Sequence, residues 1–318
     1  MMYLNLLLLC LYSLSGKSSE SVIIKNTSFI NNYSNLFEDK NDSSSYSSCY
    51  YPTILIHGIA SNKNELNELE TSLHEQITRD GCERKNIYNL EIGNGKLNSI
   101  FMNINLQCEI FYNNIINLEL NTSKINLIGI SQGGLIARCY VERYSHLLYD
   151  VNSLITLGTP HMGIFGESPL LDLFKYLEYW KNPYEYNRYI EVNDFLVYLN
   201  NEKPHNLSNI YKNNLNKVNS FVMIWSEIDI VIIPYQSAKF EFYNILLAQH
   251  DHKLHIDVLE NSTIYTKDLL GFKKMIENYQ LYTFQYDCNH DEFKTKKCYN
   301  KQFYNHNETL LEKIISFL

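Results

Sequence analysis

The stretch Lys124-Ile-Asn-Leu-Ile-Gly-Ile-Ser-Gln-Gly-Gly-Leu-Ile-Ala-Arg-Cys-Tyr-Val-Glu-Arg143 decides how the rest of the chain is read. Its first part, Lys124 to Ile128, is a short apolar run of the kind that forms a buried strand. From Gly134 onward it reads as a helix. Between the two stands Ser131, with glycine at both second neighbours, Gly129 and Gly133. A strand passing straight into a helix must turn sharply at the residue between them. That turn forces strained backbone angles on the serine and leaves no room for side chains at 129 and 133. The hydroxyl is then presented beside a helix N-terminus, where backbone dipoles favour developing negative charge. A glycine-rich turn with a surface serine is the bland alternative. The flanking strand and helix, and a second motif upstream at Ile54-Leu-Ile-His-Gly-Ile59, favour the catalytic reading.

Outward from this turn the chain alternates strands and helices. Strands are expected at Thr53–Ile56, Asn86–Ile92, 125–129, Ser153–Leu157, Phe221–Trp225 and Gln280–Tyr286. Helices are expected at Asn62–Thr78, Ser99–Leu118, 133–145 and Thr309–Leu318. This order predicts an α/β chain with a mostly parallel central sheet and helices on both faces. With the serine turn it specifies the α/β-hydrolase fold. The rhythm breaks between His161 and Lys217, where Leu170–Trp180 and Tyr189–Asn200 read as helices. An insertion between two core strands is where this fold carries a cap, so a helical cap is expected at about 161–217.

The chain has 318 residues, 45% hydrophobic, and a formal net charge of −8. That is ample for one core, and no basic run is long enough to track a phosphate backbone, which argues against nucleic acid. Residues 4–14 are almost wholly apolar and are followed by Ser15, Gly16 and Ser18, so 1–19 reads as a secretory signal peptide. Residues 20–48, rich in Ser, Asn and Asp, read as a flexible leader, and 49–318 as the hydrolase domain. No segment is long enough for a stable membrane span. Six cysteines remain after the leader: Cys49, Cys82, Cys108, Cys139, Cys288 and Cys298. Their even number suits an oxidising compartment, and Cys288–Cys298 is expected as a local bridge bracing the loop of His290. Asn-x-Ser/Thr sequons begin at Asn26, Asn32, Asn41, Asn121, Asn206, Asn261 and Asn307.

A serine hydroxyl needs a base within hydrogen-bond reach, and that base needs a carboxylate to hold it. In this fold the acid and the histidine follow the serine in chain order, each past the C-terminal end of a strand. Asp229 follows Phe221–Trp225, and His290 follows Gln280–Tyr286, so the expected triad is Ser131, Asp229 and His290. Glu227 and His306 remain rivals. The oxyanion hole is expected from the backbone N–H groups of Ile59 and Gln132. His57 and His161 are placed near the substrate, with a hydrogen bond holding the loop preferred for His57 over a catalytic role, and a structural role favoured for His161 at the site rim. The run His250-Asp-His252-Lys-Leu-His255 reads as solvated loop and not a metal site, and the chemistry calls for no metal and no cofactor.

With these residues in place the chain resembles the palmitoyl-protein thioesterases, lysosomal α/β-hydrolases that remove long-chain acyl groups from cysteine. The similarity runs from about Pro52 to the C-terminus. It rests on Ile56-His-Gly58, Gly129-Ile-Ser-Gln-Gly-Gly134, Gly158-Thr-Pro-His-Met-Gly-Ile-Phe-Gly166, Glu178-Tyr-Trp-Lys-Asn-Pro183, Ile264-Tyr-Thr-Lys-Asp268 and Asn289-His290. The resemblance places its triad on the same three residues. It implies long-chain acyl thioester substrates, including S-acylated proteins or peptides, and an acyl groove in the cap lined by Leu173, Leu177 and Trp180. Leu170, Leu171, Phe174, Tyr176 and Tyr179 share that stripe. An oxyester hydrolase of the lipase or phospholipase type, and a catalytically silent lipid-binding protein, are the alternative functions.

Overall fold

Successive side chains of each core strand enter two different hydrophobic clusters, as they must where a parallel sheet is covered on both faces. In the computed structural model, which describes residues 50–81, 86–167, 177–302 and 308–318, these strands are β1 (Thr53–Ile56), β2 (Ile87–Leu90), β3 (Lys124–Ile130), β4 (Asp150–Leu157), β5 (Ser220–Trp225) and β6 (Leu281–Gln285). They form one six-stranded sheet in the order β2-β1-β3-β4-β5-β6, every pair parallel. Ile54, Ile56, Leu127, Leu154 and Met223 pack on one face with Cys108, Phe111, Leu135 and Tyr140. Those partners come from α3 (Ile104–Ile116) and α4 (Gln132–Tyr144). Leu55, Ile128, Ile155, Val222 and Ile224 face the other way. They meet Leu69, Leu73 and Ile77 of α1 (Asn67–Arg79) and the C-terminal helix Leu310–Ile315.

The fold class read from the sequence is the one observed, and the differences are local. The single helix expected over Ser99–Leu118 is two, α2 (Lys96–Phe101) and α3, broken at Met102 and Asn103. Asn103 accepts a hydrogen bond from the Asn105 N–H and so caps α3, while Gln107 Nε2 donates to the Met102 carbonyl freed by the break. Tyr189–Asn200 also divides, into helices Tyr186–Val192 and Leu196–Leu199. There the Asn193 side chain accepts from the N–H groups of Phe195 and Val197. Residues 177–180 form a turn and not a helix end, because Ile164 exchanges backbone hydrogen bonds with Tyr179 and Lys181. The run from His250 is partly helical, with Ile245–Asp251 closed by His252 in the left-handed conformation.

Two disulfides are formed among the described residues. Cys108–Cys139 ties α3 to α4, and Cys288–Cys298 closes the expected local loop. The signal segment 1–19, the leader 20–48, Cys49, Cys82, Leu170, Leu171, Leu173, Phe174, Tyr176, His306 and the sequons at Asn26, Asn32, Asn41 and Asn307 lie outside the described residues. The described sequon residues Asn121, Asn206 and Asn261 are all exposed. Among the described residues no helix is long and apolar enough to cross a membrane.

Candidate active site

Ser131 sits between the end of β3 and the first residue of α4 with φ 55° and ψ −126°. A non-glycine residue at positive φ carries backbone strain. The surrounding chain enforces it: Ser131 N–H donates to the Leu157 carbonyl, and Thr159 Oγ1 donates to the Ser131 carbonyl. A Cβ at Gly129 would lie 2.5 Å from the Gly133 carbonyl oxygen, and one at Gly133 would lie 2.4 Å from that of Ile56. Both glycines are therefore required by close backbone approach. Gly133→Ala is expected to cost about 3 kcal/mol, read as a lowered Tm; an unchanged Tm would show that the His57 loop yields instead.

Strand register sets where the other two groups arrive. Ile130 is level with Leu157, Leu157 with Ile224, and Ile224 with Phe284, so β3, β4, β5 and β6 end on one line. Asp229 follows β5 and His290 follows β6. Neighbouring strands lie ~4.8 Å apart, so β6 is roughly 14 Å from β3, and the loop after it must fold back across the sheet. It does. Phe293 packs on Gly158, where a Cβ would come within 2.9 Å of the Phe293 ring and 3.3 Å of Asp229 Oδ2. His290 Nδ1 meets Asp229 Oδ2 at 2.7 Å. The second oxygen, Oδ1, accepts from the N–H groups of Val231 and Ile232, so the carboxylate is fixed at both ends. Among the described residues no hydrogen bond joins the Ser131 hydroxyl to His290.

Sequence reasoning missed Ser226. Its buried hydroxyl accepts from the N–H groups of Ile228 and Cys288, fastening the Asp229 loop to the His290 loop. Nothing distinguishes such a serine from a turn residue until the two loops are seen side by side. Glu227, the rival acid, shares the loop with Asp229, but it is Asp229 that meets His290.

The loop after β1 packs on the serine: a Cβ at Gly58 would lie 3.0 Å from Ser131 Cβ and 3.6 Å from Oγ. Ile59 follows on that loop, and Gln132 occupies the first position of α4, where a backbone N–H has no partner within its own helix. The Gln132 side chain is buried. Its Nε2 donates to the Ser99 carbonyl and Gln107 Oε1, and its Oε1 accepts from the Tyr179 hydroxyl. Residues of α2, α3 and the cap thereby hold the side chain whose own backbone N–H adjoins the serine.

Four of the residues expected near the substrate, His161, His57, Trp180 and Leu177, are described by the structure. His161 is fully buried, stacked on Phe240 at 4.7 Å, with Nε2 3.0 Å from Thr156 Oγ1 and Nδ1 3.4 Å from Arg138. Burial, and then the Arg138 charge, hold its pKa well below the ordinary histidine value, so it is a neutral core residue. His57 is buried as well. Its Nδ1 lies 3.0 Å from the Gly58 carbonyl and its Nε2 2.6 Å from Glu91, which makes it the pin of the loop after β1. Trp180 is half-buried against Phe165, with ring centroids 5.2 Å apart, and Leu177 is buried in the core cluster.

Two carboxylates give the stability a pH dependence. Burial raises the Glu142 pKa to about 8 against the pull of Arg138 and Arg143. Arg138 Nε lies 3.1 Å from Glu142 Oε1, yet neither oxygen has an aligned hydrogen bond among the described residues. An acid raised on folding favours the native state fully below its unfolded value near 4.5 and loses that contribution as pH climbs through 8. Glu65 behaves oppositely. Partial burial would raise it, but hydrogen bonds from Lys294 and Lys96 bring it down to about 2, so its contribution is lost as pH falls below 4.5 toward 2. Above pH 7 the lowered His161 no longer changes its contribution, so the expected result is a Tm that falls between pH 7 and pH 8, measured by thermal unfolding; a Tm that climbs over that interval would refute it.

A strained serine at the C-terminal edge of a parallel sheet, with a carboxylate–histidine pair from two later strands, defines an α/β-hydrolase. The sequence profile of the palmitoyl protein thioesterase family matches residues 52–290. Palmitoyl-protein thioesterase 3 of Dictyostelium discoideum is 32% identical over 260 residues, covering 75% of this chain and 84% of that protein. A lysosomal thioesterase of Xenopus laevis is 28% identical over 249 residues, covering 71% and 81%. A lysosomal thioesterase homologue of Drosophila melanogaster is 26% identical over 255 residues, covering 73% and 83%. The chain belongs to the palmitoyl-protein thioesterase family.

Proposed function

We propose that this protein hydrolyses long-chain acyl thioesters, among them S-acylated proteins or peptides, by acyl transfer to Ser131. The observation that carries this reading is the 2.7 Å contact of His290 with Asp229 on loops that end in register with the strained serine. Asp229 holds Nδ1 protonated and leaves Nε2 free to act as a base. His290 takes the hydroxyl proton as Ser131 Oγ attacks the thioester carbonyl carbon. The oxyanion is met by the N–H groups of Ile59 and Gln132. The carbon–sulfur bond breaks, the proton passes from His290 to the leaving thiol, and the acyl group stays on Ser131. Water then attacks the ester carbonyl as His290 takes its proton, the bond from the acyl carbon to Ser131 Oγ breaks, His290 returns the proton to that oxygen, and the fatty acid leaves.

The family, the exposed sequon residues and the two disulfides support an oxidising secretory route. The lysosomal names of relatives support an acidic compartment as its end.

The test is covalent labelling of Ser131 by a fluorophosphonate, competed by palmitoyl-coenzyme A, alongside hydrolysis rates on matched palmitoyl thioester and oxyester substrates. Protection of Ser131 and faster thioester cleavage are expected. Oxyester cleavage outpacing thioester cleavage would replace this reading with a lipase-type one.

A further inference from the structure

We propose that Glu65 is a positioning residue for the hydrolytic site, holding the turn of His290 in register with the loop that carries the Ile59 N–H. The inference rests on the acyl-transfer reading of Ser131, Asp229 and His290.

One Glu65 carboxylate receives donors from three separate segments. Ser61 Oγ, on the loop after β1, donates to Oε2 at 3.0 Å. Lys294 Nζ reaches the same oxygen at 2.7 Å, across 229 residues of sequence. Lys96, at the start of α2, reaches Oε1 at 2.6 Å. Lys294 is the last residue of the single helical turn His290–Lys294 and also pairs with Asp291 at 3.2 Å. The first residue of that turn is held by Asp229 at 2.7 Å. Two carboxylates from opposite sides of the site thus grip the two ends of one turn. Its interior is fixed too, by a capping box between Asn289 and Glu292 and by the Cys288–Cys298 bridge. A stiff turn held at both ends transmits any shift at Lys294 to the imidazole.

Ser61 lies two residues beyond Ile59, on the loop that packs on Ser131 through Gly58. Glu65 therefore connects the segment bearing one expected oxyanion donor directly to the segment bearing the base. Both Glu65 and Lys294 keep a quarter of their side-chain surface accessible, so solvent screens part of what the pair adds to stability. Beyond that contribution the pair fixes geometry. Proton transfer from Ser131 to His290 depends on sub-ångström placement, to which rates respond steeply.

Glu65→Ala and Lys294→Met are each expected to lower kcat on palmitoyl-coenzyme A about 10-fold, with KM unchanged, and to slow fluorophosphonate labelling of Ser131 in parallel. The double variant should be no slower than the slower single, since both substitutions break one unit. Lys294→Arg should restore most of kcat. Lys212→Met, which breaks the part-exposed Lys212–Asp268 pair elsewhere, is the stability control and should keep wild-type kcat. Single variants with kcat within about twofold of wild type, or losses that multiply in the double, would overturn the inference while leaving the reaction assignment standing. A wild-type chain that neither turns over nor labels would instead remove the reaction assignment itself.

Discussion

Ser131→Ala is expected to abolish thioester hydrolysis, lowering kcat on the order of a millionfold, which is what loss of the nucleophile costs an enzyme that works by acyl transfer. The fold should survive. Among the described residues the Ser131 hydroxyl makes no hydrogen bond, and its backbone angles are imposed by Leu157, Thr159 and the two tight glycines, none of which alanine disturbs. The measurement pairs steady-state hydrolysis with thermal unfolding, and fluorophosphonate labelling should vanish with turnover. Residual activity above about a thousandth of wild type in folded protein would mean that another group attacks the carbonyl.

Asp229→Asn is the second large effect, expected at about 10⁴-fold in kcat. The asparagine carbonyl oxygen can still accept from Val231 and Ile232, so the loop keeps its shape. Its amide nitrogen then faces His290 Nδ1 where the carboxylate stood at 2.7 Å. A donor in that place moves the proton to Nε2, and the imidazole loses the lone pair that would take the Ser131 proton. Asp229→Ala removes the loop's anchors as well and should lower Tm further than Asp229→Asn does. An Asn variant within about tenfold of wild-type kcat would show that the histidine does not serve as the base.

What the sequence made legible follows from the range over which each signal acts. β1 and β3 are short apolar runs bounded by turn residues, and the glycines around Ser131 report a steric demand felt within a few residues; both could be read directly. Asp229 and His290 required one step more, the rule that chemistry collects at strand ends in this fold. Ser226 and Glu65 were not readable. Their partners Cys288 and Lys294 lie 62 and 229 residues away, and only the return of the last loop across the sheet brings them together. The burial of His161 has a related cause. Its motif places it beside the site in sequence, but Phe221 and Phe240 close around it from later in the chain, and Thr156 from the preceding strand. The helix breaks at Asn103 and Asn193 were visible as asparagines, yet in a chain so rich in that residue no single one stands out as a cap.

The Cys288–Cys298 bridge has a consequence for an enzyme with this product. Every turnover on a thioester liberates a free thiol, so a working site continually generates a reductant beside its own loops. Both sulfur-bearing residues of the bridge are fully buried, and thiol–disulfide exchange requires in-line access to a sulfur atom. The loop that carries His290 is thereby shielded from the molecules the reaction releases, and inactivation by accumulated product thiol should wait on unfolding of the loop.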